Sequence, residues 1–414
     1  MSARFAETLA IGSELLGPDR IDTNGSFLAR LLGERGIAVR FRTVVGDDPA
    51  DLREAFRIAL GRADVVIATG GLGPTVDDLT REAVSELLGL PLEEDAEVVR
   101  VLEERFRRIG RVMAPTNRRQ AMVPKGALVL PNALGSAPGL LLRPGGRLLA
   151  LLPGVPSEME RMAREVLLPL LPASDEVFAH RVLKIAGLTE SDVDHRLQPV
   201  WKSAGEVQWT ILAGAGQIEI HLRERLARGG APVNLDRIDA AAAAILGVHL
   251  FGRDDDTLPS VVARLLLEKS ATLAVAESIT AGGVARRLAE VPGASHWLRG
   301  GAVVYSDTAK RALAGVPAET IAAHGAISAE TARALAEGIR ERLGADWGLA
   351  TTGLAGPPGP GDPGPPGTLY LAVAGPDGGR ERRLVLPGDR GLVLVRAAQA
   401  AIDLLRRALL GAPA

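Results

Sequence analysis

The stretch Asp64-Val65-Val66-Ile67-Ala68-Thr69-Gly70-Gly71-Leu72-Gly73-Pro74-Thr75-Val76-Asp77-Asp78-Leu79-Thr80 decides the fold class of this chain. Its first six residues are a short, mostly apolar run that reads as a strand, and a helix is expected to start near Asp78. Between the two stand Gly70, Gly71 and Gly73, followed by Thr75. Glycines at the carboxyl end of a strand let backbone N–H groups approach a phosphate closely, and the next helix N-terminus adds a favourable dipole. Asp77 and Asp78 beside such a cradle suit a hard divalent cation, which takes oxygen ligands. The plainer reading is a capped helix after a tight turn, with one Asp as the cap. Several glycines and two acids exceed what a cap needs.

Outward from this stretch the alternation continues. Residues 7–11, 38–45 and 148–152 read as strands. Residues 24–35, 49–60 and 157–170 read as helices, the first with Phe27, Leu28, Leu31 and Leu32 on one face. Strands and helices joined by short loops predict a mostly parallel sheet covered on both faces, an α/β domain over residues 1–172. Residues 173–252 differ in texture. Strands are expected at 177–185, 207–212 and 217–222, the last two forming a hairpin across Gly214-Ala215-Gly216. A short helix at 189–197 with Thr189 as its cap and an alanine-rich helix at 234–246 complete a small α+β module. From 253 to 414 the α/β pattern returns, with a helix at 257–268 and a buried strand at 272–276. Strand-like residues 347–352 and 368–373 flank a loop rich in Gly and Pro, too short and irregular to be collagen-like. Loops on such scaffolds often carry sites.

At 414 residues the chain suggests two or three domains. An apolar content of 47% supplies cores, but at 3% aromatics these rest on Leu, Val, Ile and Ala. A net charge of −2 gives no global reason to bind nucleic acid or an anionic membrane. No run approaches 18 uninterrupted apolar residues, and the first residues lack the build of a signal peptide, so a cytoplasmic protein is expected. Without cysteine there is no disulfide, thiolate metal site or cysteine nucleophile.

Lysine is scarce: only five of 48 basic residues, Lys125, Lys184, Lys202, Lys269 and Lys310. Arginine keeps its proton, whereas lysine can be desolvated and made to act as a base. Lys310 stands in the most motif-dense segment. There, Ala276-Glu277-Ser278-Ile279-Thr280-Ala281-Gly282-Gly283 ends a strand and opens a helix. Ser278 is thereby expected at the rim of the sheet, near helix N–H donors suited to an oxyanion. A serine alone needs a base. Of the six histidines only His296 and His324 fall in this domain, and neither has an acidic neighbour close in sequence. Tyr305-Ser306-Asp307-Thr308-Ala309-Lys310 offers another base, with Tyr305 after an apolar strand and Lys310 beginning a helix. A Ser–Lys pair with a bridging Tyr is chemically adequate if burial lowers the lysine pKa. Spacing alone weighs this equally against a helix cap, a packed Tyr and a solvated Lys.

The glycine-loop segment resembles the molybdopterin-binding-like domain family. Further blocks, among them Gly12-Ser13-Glu14-Leu15-Leu16-Gly17, Asp22-Thr23-Asn24, Asn132-Ala133-Leu134-Gly135-Ser136 and Leu152-Pro153-Gly154-Val155-Pro156-Ser157-Glu158, resemble the CinA family (competence/damage-inducible protein A). The resemblance implies a metal-dependent ADP-ribose pyrophosphatase in the first domain. Asp77 and Asp78 would be its nearest metal or phosphate neighbours, with Glu158 a further metal candidate and Asn24 and Asn132 further substrate contacts. The implied cofactor is a divalent metal (Mg, Mn or Co), with potassium as an additional ion. Residues 256–411 resemble the nicotinamide-mononucleotide (NMN) amidohydrolase family through Glu277–Gly283, the 305–310 block, His324-Gly325-Ala326-Ile327-Ser328, Thr352-Gly353-Leu354-Ala355-Gly356-Pro357 and Gly388-Asp389-Arg390. That implies a cofactor-free serine amidase with Ser278 as nucleophile, Lys310 as base and Tyr305 supporting proton transfer. Glu277, Thr280, Gly282, Gly283, Thr352, Gly353 and Arg390 would surround the substrate. Ile279 stands where the family usually has Cys, and Ala281 where it usually has Gly. The middle module is similar to a KH-like fold, although without a basic patch RNA binding does not follow. The combined expectation is a homodimeric hydrolase of NMN and ADP-ribose, contacting neither nucleic acid nor membrane. Its rivals are a pterin-binding molybdenum-cofactor enzyme and a non-enzymatic competence or repair adaptor.

Overall fold

The structure is a computed structural model that describes residues 5–171, 175–214, 216–357 and 364–413. It divides into two compact units, residues 1–179 with 225–232 and residues 180–224 with 233–414.

The first unit runs β1 (Phe5–Ile11), α1 (Asn24–Gly33), β2 (Ala38–Val45), α2 (Pro49–Arg62), β3 (Val65–Thr69), α3 (Thr80–Leu88), β4 (Leu92–Glu94), α4 (Ala96–Arg108), β5 (Met122–Pro124), β6 (Leu128–Leu130), β7 (Gly139–Leu142), β8 (Leu148–Leu152) and α5 (Pro156–Met162). The six-stranded sheet has the order β2-β1-β3-β8-β7-β6. Its first four strands are parallel, and β7 and β6 are antiparallel additions. Every residue of β3 and β8 is buried, which is why both read as unbroken apolar runs: parallel strands are covered on both faces. The Asp48 carboxylate caps α2 by accepting from the Ala50 and Asp51 N–H groups. Leu52, Phe56, Ala59 and Leu60 of α2 point into the core. The helix expected over 157–170 is shorter. It ends at Met162 and passes into a wider turn at Ala163–Leu167 and a tighter one at Leu168–Leu170. The backbone stays helical through Leu168, and Pro169, which has no N–H to donate, lies in the last tight turn before the chain becomes extended at Leu171.

The second unit holds most of β9 (Glu176–Ala186) and β11 (Gln217–Ala227), together with α6 (Glu190–Trp201), β10 (Gln208–Gly214), α7 (Val233–Leu246) and β12 (Leu250–Arg253). Their sheet has the order β10-β11-β9-β12. β10 and β11 form the expected hairpin, although Ala215 of its turn lies outside the described residues. Thr189 and Asp192 form a reciprocal capping box at the start of α6. The helix runs beyond its expected end through Pro199 to Trp201. There Trp201 stacks on Trp209 at 4.3 Å and its indole N–H donates to Asp194 at 3.2 Å.

The same unit continues through α8 (Leu258–Glu268), β13 (Leu273–Glu277), α9 (Gly283–Ala289), β14 (Leu298–Val303), α10 (Asp307–Ala314), α11 (Ala318–His324), α12 (Ala329–Arg342), β15 (Trp347–Gly353), β16 (Thr368–Gly375), β17 (Gly378–Val385) and α13 (Arg390–Leu409). The sheet order is β14-β13-β15-β16-β17, parallel at β14-β13-β15 and antiparallel beyond. Part of the Gly/Pro loop, residues 358–363, lies outside the described residues. Among the described residues no helix is long and apolar enough to cross a membrane.

Candidate active sites

The carboxyl ends of β1, β3 and β8 open into a cavity of about 760 Å³. Gly70, Gly71, Gly73, Asp77, Asp78, Asn24 and Glu158 all border it. The glycines are there for close approach. A Cβ on Gly70, at φ +106, would lie 2.2 Å from the Ile11 carbonyl oxygen. One on Gly71, at φ +65, would lie 2.1 Å from Thr80 Oγ1. The loop is locked from behind by two arginines that sequence reasoning missed. Arg81, 1% exposed, donates to the carbonyls of Leu72 (2.7 Å) and Gly73 (2.9 Å), and Arg119 donates to the carbonyl of Thr75 (2.7 Å). Burial pushes the Arg81 guanidinium below its ordinary value.

α3 begins at Thr80, not near Asp78, because Asp78 turns its carboxylate back to accept from the Thr75 N–H and hydroxyl. Thr75 thus orients Asp78 and does not itself border the cavity. Asn132 is also behind the wall. Its amide donates to Glu158 Oε2 at 2.7 Å and to the Ala137 carbonyl, while its oxygen accepts from the Leu134 and Gly135 N–H groups. Asn24 donates to the Gly154 carbonyl, and its own Oδ1 is buried without a hydrogen-bond partner among the described residues. Among those residues no three acid or imidazole groups converge to hold a metal ion. The cavity therefore offers scattered oxygen donors rather than a closed cage.

In the second unit Ser278 follows β13, and Val304 and Tyr305 follow the neighbouring parallel β14. The register pairs Glu277 with Val303, and the Val304 N–H donates to the Glu277 carbonyl. Ser278 is buried, and its N–H donates to the Thr351 carbonyl on β15, on the other side of β13. Thr351 also exchanges a hydroxyl hydrogen bond with Thr280 at 2.8 Å, a support that sequence reading missed. Lys310 is in the first turn of α10, which Ser306 caps. It is 2% exposed, and among the described residues its ammonium finds only the Tyr305 carbonyl at 3.4 Å and the exposed Asp307 carboxylate at 3.8 Å. Burial pushes Lys310 below the ordinary lysine value, and the partial compensation from Asp307 does not reverse it.

The helix N–H donors expected to hold an oxyanion are already occupied. The buried Glu277 carboxylate accepts from the Gly282, Val284 and Ala285 N–H groups and so caps the start of α9. The Ile279 and Thr280 N–H groups have no backbone or side-chain partner among the described residues. Ala281 lies at φ +48, in the left-handed region where glycine is easiest, which accounts for the usual glycine there. Ile279 packs into the core, where a Cβ on Gly353 would lie 3.0 Å from its Cδ1. The Thr352 hydroxyl donates to the Ala326 carbonyl, tying β15 to the 324–328 turn. Arg390 donates to the Gly356 carbonyl (2.7 Å) and to the Tyr305 hydroxyl (3.1 Å), while Tyr305 remains 60% exposed. His324 does approach an acid, Glu330 at 4.0 Å, on an exposed surface.

The chain is 44% identical to a CinA-like protein of Frankia casuarinae over 99% of its own length and 97% of the relative's. It is 43% identical to a CinA-like protein of Anaeromyxobacter sp. (strain Fw109-5), covering 97% and 98% of the two chains. This chain belongs to the CinA family. Residues 255–409 match the CinA C-terminal domain, and residues 7–173 match the family described as "probable molybdopterin binding domain". The solved CinA protein of unknown function from Thermoplasma acidophilum is 33% identical with a TM-score of 0.39, covering 41% of this chain and 99% of that one. The CinA-type domain thus carries the Ser278–Lys310 edge, and the molybdopterin-binding-like domain carries the glycine-loop cavity.

Proposed function

We propose that the protein is a bifunctional hydrolase of pyridine nucleotides, deamidating NMN at the Ser278–Lys310 edge and cleaving ADP-ribose in the glycine-loop cavity. The observation that carries the first activity is the buried, poorly compensated ammonium of Lys310 at the start of α10, which follows β14, the strand paired in parallel with the β13 that leads into Ser278. A neutral Lys310 accepts the Ser278 proton as Oγ attacks the carboxamide carbon. The Ile279 and Thr280 N–H groups are the free donors for the resulting oxyanion. The proton then passes to the leaving ammonia, and water hydrolyses the acyl-serine to release nicotinate mononucleotide. Arg390, linked to the Tyr305 hydroxyl, suits the substrate's phosphate.

In the first domain a divalent metal fits as a companion of the substrate diphosphate, since such ions commonly bind through one or two carboxylates plus phosphate oxygens. One or two of the carboxylates Asp77, Asp78 and Glu158, which do not converge as a trio among the described residues, would hold it together with the phosphate oxygens, with the unpartnered Asn24 oxygen as a further donor. When bound, the metal polarises phosphoryl oxygens and activates water. The glycine loop binds the phosphates, Asn132 orients Glu158, and the products are AMP and ribose 5-phosphate. A homodimer is part of the same reading, and light scattering at micromolar concentration checks it. Mass analysis of products from NMN and ADP-ribose, with and without divalent metal, tests both activities. Unchanged substrates under all conditions would remove the proposal.

A further inference from the structure

The second unit contains another cavity, of about 530 Å³, which none of Ser278, Lys310 and Tyr305 borders. One end of it is charged. Buried Asp403 on α13 accepts from Arg406 through Oδ1 at 2.6 and 2.8 Å and from Arg407 through Oδ2 at 2.8 Å. Arg406 extends to the Val248 carbonyl and Arg407 to His249 Nδ1. Burial and the Arg407 charge push His249 down, so the imidazole adds no positive charge of its own near neutral pH. The Gly187 backbone rests on this cluster, where an added Cβ would lie 2.8 Å from Arg407 Nη2.

Arg382 on β17 completes the wall. It is half-buried, and among the described residues its guanidinium makes no hydrogen bond or close ion pair. Desolvation and the repulsion of Arg407 act against its charge, and the more distant Asp403 carboxylate, already engaged by Arg406 and Arg407, offsets them only in part. One carboxylate therefore serves three guanidinium groups. A fourth, Arg396, borders the cavity while donating to the Pro387 carbonyl. Glu190 and Asp192 also line it, but Asp192 is engaged by the Thr189 capping box. The rest of the wall includes Leu188, Ile218, Leu384 and Leu386.

An unpaired, partly desolvated guanidinium is costly unless something anionic meets it. Its planar fork matches a carboxylate or phosphate. The volume and the apolar lining are those of a small-molecule pocket. We propose that this cavity binds a small organic anion, its phosphate or carboxylate against Arg382 and Arg396 and its flat apolar body among Leu188, Ile218, Leu384 and Leu386.

Calorimetric titration of the full chain with phenyl phosphate, inorganic phosphate and phenol tests this. Phenyl phosphate should bind at least about 10-fold more tightly than either fragment, and at least about 10-fold more tightly to the wild type than to Arg382→Met, the usual scale of a hydrogen bond to a charged group. Arg382→Lys should recover part of the loss. Should Arg382→Met not fold, Arg396→Met carries the same comparison. Equal affinity of wild type and variant, no binding at millimolar phenyl phosphate, or inorganic phosphate binding as tightly as phenyl phosphate would each overturn the proposal.

Discussion

Both candidate sites lie at the carboxyl ends of parallel strands, yet the protein invests differently in them. In the first domain the Asp77 and Asp78 side chains border an open cavity, and the buried effort goes into the loop behind them, through Arg81, Thr80 and Asn132. In the CinA-type domain the Lys310 side chain itself is buried, and the groups around Ser278 are spent on fixing the turn. A site that takes its missing charge from a ligand can stay open to water. A site that needs a neutral lysine must exclude water, because hydration would restore the proton. The contrast teaches that a shared position on an α/β sheet does not imply shared chemistry.

The most drastic way to break the comparison is Ser278→Ala. Ammonia release from NMN should fall by about 10³-fold or more, as expected for loss of a nucleophile, with ADP-ribose cleavage intact. Near-normal ammonia release would remove Ser278 from the chemistry. The reciprocal change, Asp77→Asn with Asp78→Asn, should lower ADP-ribose hydrolysis by about 10²-fold, since metal polarisation supplies several kcal/mol. Hydrolysis that stays fast and insensitive to EDTA would place the metal elsewhere. Asn132→Ala sharpens the difference between lining and supporting residues. Freeing Glu158 should cost about 10-fold in apparent metal affinity, the scale found for outer partners of metal ligands. A titration of activity with metal reads this directly. The smallest effect is on stability. Ala281→Gly relieves a left-handed alanine and should stabilise the second unit by about 1 kcal/mol, seen as a rise of a few degrees in its melting transition.

Much of this architecture was legible in the sequence. The strand at Leu148–Leu152 is bounded as expected because an uninterrupted apolar run between turn residues admits few other readings, and the strand at Ala38–Val45, though interrupted by Arg40, Arg42 and Thr43, keeps its expected bounds through its β-branched and aromatic residues. The helix after Leu152 was read as one regular helix, whereas its winding widens at Ala163–Leu167 and tightens at Leu168–Leu170, a change of hydrogen-bond register that the side-chain pattern does not encode. Within the sites, the glycines, Asp78, Ser278 and Lys310 stand out by residue type and spacing. What escaped notice acts across the fold: Arg81 and Arg119 on loop carbonyls, Thr351 across to Thr280, and the bond that links the already singled-out Arg390 and Tyr305. A hydrogen bond between residues 85 apart in sequence leaves no local signature. The capping role of Glu277 was hidden for a related reason, since the three N–H groups that its carboxylate engages are brought to it by the turn into α9.

The most direct test of the buried-base account is the pH–rate profile of NMN deamidation in wild type and Lys310→Arg. Burial lowers the lysine pKa, so the neutral base is present above that depressed value and lost as pH falls through it. The wild-type rate should therefore decline on the acid side with one ionisation below the ordinary lysine range. Lys310→Arg, which keeps the charge but cannot accept the serine proton, should be slower by about 10²-fold or more and should lack that ionisation. A Lys310→Arg enzyme with nearly unchanged turnover and an unchanged profile would contradict the account and make the lysine a counter-ion.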